Sequence, residues 1–454
     1  MQRDLDIVVF GATGDTGVSA CCCLYFKGKK LGISSWAPAA RNLGKLKSDL
    51  LDRLADREPG EDGLAPSEPI QADSGDYESL LRMCKRTKCV VACAGPFAQY
   101  GEGVIKACVE AGTHYVDVTG EVPWVEKMER KYGEEAEKKR VTLVSMAGYD
   151  SVPPDLSTFL AAKGMRDEGE ALQRFDIFCG GGGGAMPSGT INTLVQGVDE
   201  AKGQFWNKVS FGMLGTPARR PRTEESQPAT TSGPRKTYAP QTESANLGSN
   251  LIWSMCPGYS SLAGQFCLPH FMAPININVV HRTAAQEGYG GLVYRERMAG
   301  LPNGLMSLYG LVPTICGVAG GFLMALFLPL PYSTSAIVKL RDTFNPALMA
   351  SARKLMLDGF KSTGVTIASG FGISRSGGMT STTELKCKYD PGLGFTMLSA
   401  CTLASVIVKR LESDDKPRTG FQTAVTAVGG EALADALRAM GVELKVTTQR
   451  ASRL

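Results

Sequence analysis

The chain has 454 residues, 43% hydrophobic and 21% charged, proportions of an ordinary folded protein with length for two or three packed units. Its formal net charge is +4 with Lys and Arg scattered, so nothing in the charge pattern asks for nucleic acid. The thirteen Cys include no Cys-x-x-Cys pair, and the run Cys21-Cys22-Cys23, at successive helix positions that point in different directions, cannot share one metal; they read as reduced, partly buried thiols in an intracellular protein.

The N-terminus does not show the charged start, apolar stretch and cleavage site of a secretory leader in that order. Instead Leu5 to Phe10 is an apolar run without breakers, the pattern of a buried parallel strand. It enters Gly11-Ala12-Thr13-Gly14-Asp15-Thr16-Gly17, and a helix-compatible stretch follows from Val18 to Phe26. A strand, a glycine turn and a helix make a phosphate cradle. Gly11 allows the tight turn, Gly14 lets backbone approach a pyrophosphate, and Gly17 lets helix and strand close up. Tyr25 and Lys29 match a Tyr-x-x-x-Lys pair but sit at the far end of this helix, so they are set aside.

A second strand is expected near Gly32 to Ala39, and its end selects the cofactor. An NAD-preferring site places an acid there for the ribose 2′-hydroxyl. Here the sequence reads Ala40-Arg41-Asn42-Leu43-Gly44-Lys45. Arg41 can fork onto a 2′-phosphate and Lys45 adds charge one turn on, so NADP(H) is the expected cofactor and NAD(H) the alternative. Pro38 is awkward, because a central strand needs the N–H it lacks.

Next come a strand at Pro69 to Asp73, a helix at Tyr77 to Lys85 and a strand at Cys89 to Cys93. Asp73 is a candidate partner for an adenine amino group. Ala94-Gly95-Pro96-Phe97 leaves the fourth strand where the nicotinamide end of a dinucleotide would pass. A helix at Gly103 to Ala111 and strands at His114 to Val118 and Val141 to Ala147 follow. This alternation predicts an α/β class, a Rossmann-type doubly wound parallel sheet joined to a second α+β domain. Ligands bind such sheets beyond the strand ends, so Tyr100, Asp117, Glu121 and Asp150 are the catalytic candidates. Asp150 or Ser151 before Pro153-Pro154 can equally cap a helix. The three histidines have no metal-ligand spacing, His114 packs beside its strand, and no metal is expected.

Gly180 to Gly184 lacks the Lys and Ser/Thr ending of a P-loop. A flexible loop, or a backbone surface closing over the ligand, is expected there, with Ser188 capping a helix from Thr190. Residues 215–250 are rich in Pro, Ser, Thr, Arg and Gly and read as a mobile loop or lid. From Met298 to Val338 there is no charged residue. Within it Leu311 to Leu330 is bracketed by Pro313 and Pro329, leaving a clean stretch of about 22 Å against a hydrocarbon core of about 30 Å. An interfacial anchor, a lipid tunnel and a buried hairpin all fit it. Helical spacing at Thr396 to Arg410 and Glu431 to Met440, and a strand at Val442 to Thr447, close the chain. Ser452-Arg453-Leu454 is a conservative variant of a peroxisomal address, or an ordinary polar tail.

Several of these stretches together resemble the saccharopine dehydrogenase-like oxidoreductases. They are Gly11 to Gly17, Ala40-Arg41-Asn42, Ala94 to Phe97, Tyr100 to Glu102, Gly112 to Asp117 with Gly120-Glu121, and Gly148 to Asp155. Pro187 to Thr190, Val280 to Thr283 and Thr396 to Val446 are similar too, so the resemblance covers most of 5–200 and 380–448. It implies an NADP-binding domain with an α+β partner, and kinship to trans-acting enoyl reductases of glycolipid synthesis. Animal-type relatives are associated with lipid droplets. Ala40 stands where the family has Gly and 205–380 diverges, so the substrate is not carried over.

The expected organisation is a dinucleotide-binding domain at 1–150, a substrate domain at 151–390 and a closing segment at 391–454. The expected partners are a nicotinamide dinucleotide, a hydrophobic or lipid substrate, a peripheral membrane or lipid-droplet surface, and a second copy in a homodimer. Two further readings stay open: a non-catalytic NADP-binding scaffold on a lipid surface or microbody membrane, and saccharopine or polyamine chemistry using Arg282.

Overall fold

The computed structural model describes residues 3–182, 254, 258–270, 272–299, 347, 349–362 and 364–451. The 215–250 loop, the apolar stretch Leu311 to Leu330, Ser188, Thr190 and the terminal Ser452-Arg453-Leu454 lie outside the described residues.

Among the described residues there are two sheets of seven strands each. The first is parallel throughout. Its strands are β1 (Leu5–Phe10), β2 (Trp36–Ala40), β3 (Ile70–Gln71), β4 (Thr87–Ala92), β5 (His114–Asp117) and β6 (Thr142–Val144), joined much later by β13 (Gly420–Gln422). The order β13-β6-β5-β4-β1-β2-β3 reverses direction between β1 and β4, where a doubly wound sheet opens its ligand crevice. β1 and β2 are buried at every position because helices cover both faces, so their sequences are continuously apolar. Pro38 is accommodated by the edge. Ala39 turns its carbonyl toward β1, so Pro38 faces the other side, and β3 begins only opposite Ala39. No ladder bond is lost there.

Cys21, Cys22 and Cys23 are wholly buried in the first helix, Asp15–Leu31, and the eleven described cysteines are all free. The helix Thr396–Arg410 crosses from the far end of the chain to pack on this helix and on β4. It is apolar on nearly every side because it is enclosed on nearly every side.

The second sheet holds β7 (Leu172–Gly182), β8 (Gly258–Ser260), β9 (Gln265–Pro269), β10 (Val293–Ala299), β11 (Val365–Ser374), β12 (Met379–Cys387) and β14 (Glu443–Arg450). Its order is β14-β12-β11-β7-β10-β9-β8, antiparallel except for the β7–β10 pair. β11 and β12 alternate buried and more exposed positions, with one face on the core. The glycine run corrects an expectation. Gly180, Gly181 and Gly182 are not loop but continue β7, paired with Ile367, Thr366 and Val365. Ladder hydrogen bonds need backbone only, so a glycine run can extend a strand along one partner, here β11.

The helix Val152–Asp167 leaves the first sheet and packs on the second. In its first turn the buried Asp155 accepts from Thr283 Oγ1 at 2.8 Å, and Thr283 meets Thr423 Oγ1 at 2.7 Å. One carboxyl thus ties the helix Ala273–Glu287 to the segment that follows β13. Burial pushes the Asp155 carboxyl up to about 8, so it is protonated near neutral pH. From about pH 4 to about 8 the folded state keeps a proton that the unfolded chain has lost, so this group's stabilisation fades as pH rises through that window. Asp155→Asn keeps an acceptor for Thr283 and cannot ionise. Urea midpoints measured from pH 4 to 9 should fall less steeply for the variant than for the parent; parallel curves would disprove the assignment.

Candidate active site

Gly11, at φ +84°, turns the chain out of β1, and the amides of Gly11 and Ala12 both donate to Ala39 O, at 3.0 and 3.1 Å. This fixes the turn to the end of β2. A Cβ on Gly17 would lie 2.1 Å from Gly11 O, and one on Gly11 would lie 2.8 Å from Ala94 N. No side chain fits at either place, so helix and strand meet backbone to backbone. Gly14 is the N-cap of the first helix and brings no capping side chain, while Gly14 N donates to Gly11 O at 3.1 Å. The first-turn amides of Asp15, Thr16 and Gly17 therefore lack a side-chain cap, beside half-buried Thr13. Such an end accommodates a phosphate.

Arg353, far off in sequence, reaches the same helix end. Its Nη1 lies 3.9 Å from Asp15 Oδ1, while its Nε and Nη2 are buried without a hydrogen-bond partner among the described residues. It is a cation that could hold a phosphate, and the sequence reading missed it.

At the end of β2, Arg41 and Lys45 are both exposed, and Asn42 Oδ1 accepts from Lys45 N at 2.9 Å, capping the short helix Leu43–Leu46. Gln71 Nε2 donates to Arg41 O at 3.4 Å. Asp73, just past β3, is half-buried and accepts from Gly75 N at 3.0 Å. Ala94, Gly95 and Pro96 leave β4, with Ala94 against Gly11. Four consecutive loops thus bring the candidate cofactor residues to one edge of the sheet.

The catalytic candidates divide. Tyr100 is 43% exposed in the short helix Phe97–Tyr100. Glu121 accepts from Phe97 N at 2.9 Å and Ala98 N at 2.7 Å, holding the start of that helix. Asp117 is wholly buried and accepts from Thr119 N at 3.0 Å, Ser145 Oγ at 2.9 Å and Met146 N at 3.3 Å. Burial raises its carboxyl to about 6 against the opposing pull of those donors. Asp117 and Glu121 are engaged in joining loops.

Asp150 keeps different company. Burial lifts its carboxyl to about 6, with Glu296 adding to the rise and His270 opposing it. His270 Nδ1 and Glu296 Oε1 are 2.5 Å apart, Asn276 Nδ2 donates to Glu296 Oε1 at 2.7 Å, and Tyr294 OH donates to Glu296 Oε2 at 2.6 Å. Ser151 Oγ donates to Asn276 Oδ1 at 3.0 Å, linking the Asp150 loop to this group. Tyr149 OH donates to Gly180 O at 3.3 Å beside Cys179. The sequence pointed to Asp150 but not to His270, Glu296 or Cys179, which have no shared spacing and meet only through strand pairing. Arg282 is not available as an acid-binding group. It is buried and already paired with Glu129, at 2.7 Å, and with Phe421 O, at 2.6 Å.

Residues 7–144 match the model of the saccharopine dehydrogenase NADP binding domain. A lipid droplet localized protein of Caenorhabditis elegans is 36% identical over 43% of this chain and 45% of its own length. A saccharopine dehydrogenase-like oxidoreductase of Mus musculus is 32% identical over 43% and 46%. The matched stretch thus spans under half the length of each. A saccharopine dehydrogenase (L-Glu forming) of Saccharomyces cerevisiae shares the fold, with a TM-score of 0.50 and 12% identity over 98% of this chain and 100% of that one. NADP(H) is the cofactor of the matched domain, in keeping with the cradle and with the basic end of β2. The family match thus rests on residues 7–144, the nucleotide-binding part of the chain.

Proposed function

We propose that the protein is an NADPH-dependent reductase of a hydrophobic, lipid-like substrate. The observation that carries this reading is the uncapped helix start between Gly14 and Gly17, lying at the same sheet edge as Arg41 and Lys45. The amides would take the pyrophosphate, Arg41 and Lys45 the 2′-phosphate, and Arg353 a further phosphate charge. Asp73 would face the adenine and Ala94 to Pro96 the nicotinamide ribose. Bound NADPH supplies a hydride to an electron-poor C=C, C=N or C=O bond. A carboxyl raised to about 6 is suited to give up a proton near neutral pH, so Asp150 is the proton donor of choice here. Glu121 and Asp117 would hold the loops on which the nicotinamide rests.

The substrate class draws on the uncharged stretch from Met298 to Val338 and on the name of the C. elegans relative. That name also favours a second reading, a cofactor-binding scaffold at a lipid-droplet surface that does not turn over.

Fluorescence titration should show NADPH bound more tightly than NADH. Arg41→Asp should cost NADPH at least tenfold in affinity and leave NADH nearly unchanged, because a charge-assisted hydrogen bond is worth about 1.5–3 kcal/mol. An unchanged preference would refute the role of Arg41. Arg353→Ala should weaken both nucleotides.

With lipid enones and imines as acceptors, the fluorescence of NADPH should be consumed, and Asp150→Asn should slow this by about 10²-fold without altering NADPH affinity. Tight cofactor binding with no consumption across the panel would rule out the reductase reading in favour of the scaffold.

A further inference from the structure

Cys179 on β7, His270 just past β9 and Glu296 on β10 stand on three neighbouring strands of the second sheet. Register places them together: Met298 pairs with Cys179 on the parallel β7–β10 ladder, and Arg297 with Pro269 on the antiparallel β9–β10 ladder. One ligand atom from each, the Cys179 sulfur, a His270 ring nitrogen and a Glu296 oxygen, lies within 4.8 Å of the others. All three side chains are buried, Glu296 at 0% exposure.

A carboxylate removed from water at this depth is costly unless positive charge compensates it. The described hydrogen-bond partners of the Glu296 carboxylate are a phenol (Tyr294), an amide (Asn276) and an imidazole (His270), none of them a fixed cation. Asp150, electrostatically coupled to both His270 and Glu296, adds a second acid to the same neighbourhood. Thiolate, imidazole and carboxylate are also the donors that a borderline-soft divalent ion takes in tetrahedral sites, three from protein and one position left open. Tyr294 and Asn276 already supply the outer hydrogen bonds that orient such ligands.

We infer that Cys179, His270 and Glu296 form a binding site for a divalent transition-metal ion of the zinc class. Binding exchanges metal-bound water for the three side chains and releases the Cys179 thiol proton, so affinity rises with pH. The site shares its neighbourhood with Asp150, the proton donor of the reductase reading, but its test needs no substrate, so either can fail without the other.

The test uses the full-length protein purified under reducing conditions. Elemental analysis should return about one zinc per chain, or chelator-stripped protein should take up Co²⁺ with a thiolate-to-cobalt charge-transfer band that Zn²⁺ abolishes. Cys179→Ser should eliminate the band while circular dichroism stays that of the parent. His270→Asn should weaken Co²⁺ binding at least tenfold, and it serves as the deciding variant if Cys179→Ser does not fold. The proposal fails if neither metal nor band is found, leaving a hydrogen-bonded His270–Glu296 pair. It also fails if the band survives in Cys179→Ser, since another cysteine would then be its source.

Discussion

The whole cofactor edge depends on how closely the first helix approaches β1. At Gly17 even a single methyl group would sit 2.1 Å from Gly11 O, so the helix can start where it does only because two backbones touch. This contact does more than shape a turn. It aims the uncapped end of the helix at the crevice where strand order reverses. It also seats Cys21 to Cys23 at zero exposure, and the helix Thr396–Arg410 rests on that packed side, with Cys401 Sγ at 3.9 Å from Ala20 O. Interiors at this density do not absorb a displaced helix without loss elsewhere. A substitution at Gly17 would be felt some four hundred residues away in the chain.

The acids that are buried or half-buried in this protein follow a division of labour. Glu121 and Asp117 satisfy backbone amides in loops after β4, β5 and β6, where no ladder is present to do so. Asp155 stays protonated and acts as a neutral hydrogen-bonding group between distant segments. Glu296 differs, because three side chains converge on it and none brings a permanent charge. The first role shapes the loops along the crevice, and the second joins segments at the β13 edge of the sheet. The third sits in the second sheet, next to the loop that carries Asp150.

What could be read from the sequence was what local rules govern. The strand–turn–helix unit was legible because glycine spacing and apolar runs are set within a few residues. The helix Thr396–Arg410 was found with its limits, since its apolar residues run without Gly or Pro up to the basic pair Lys409-Arg410. The strand pairing of Gly180 to Gly182 was not legible, because a residue without a side chain carries no periodicity and only its neighbour β11 decides its fate. Arg353 and the Cys179–His270–Glu296 group were hidden for a related reason: their separations in sequence are large and irregular, and only tertiary contact gives them meaning. β13, three residues long, escaped as well, being too short for any pattern to register.

That last strand carries a consequence for how the protein is made. The nucleotide-binding sheet is one strand short until Gly420 to Gln422 have been synthesised, and its covering helix arrives only with residues 396–410. On the ribosome the amino-terminal third therefore emerges long before it can close, with the face beside β4 and the first helix still bare. Closure of the cofactor-binding unit therefore waits on the return of the polypeptide's own far end.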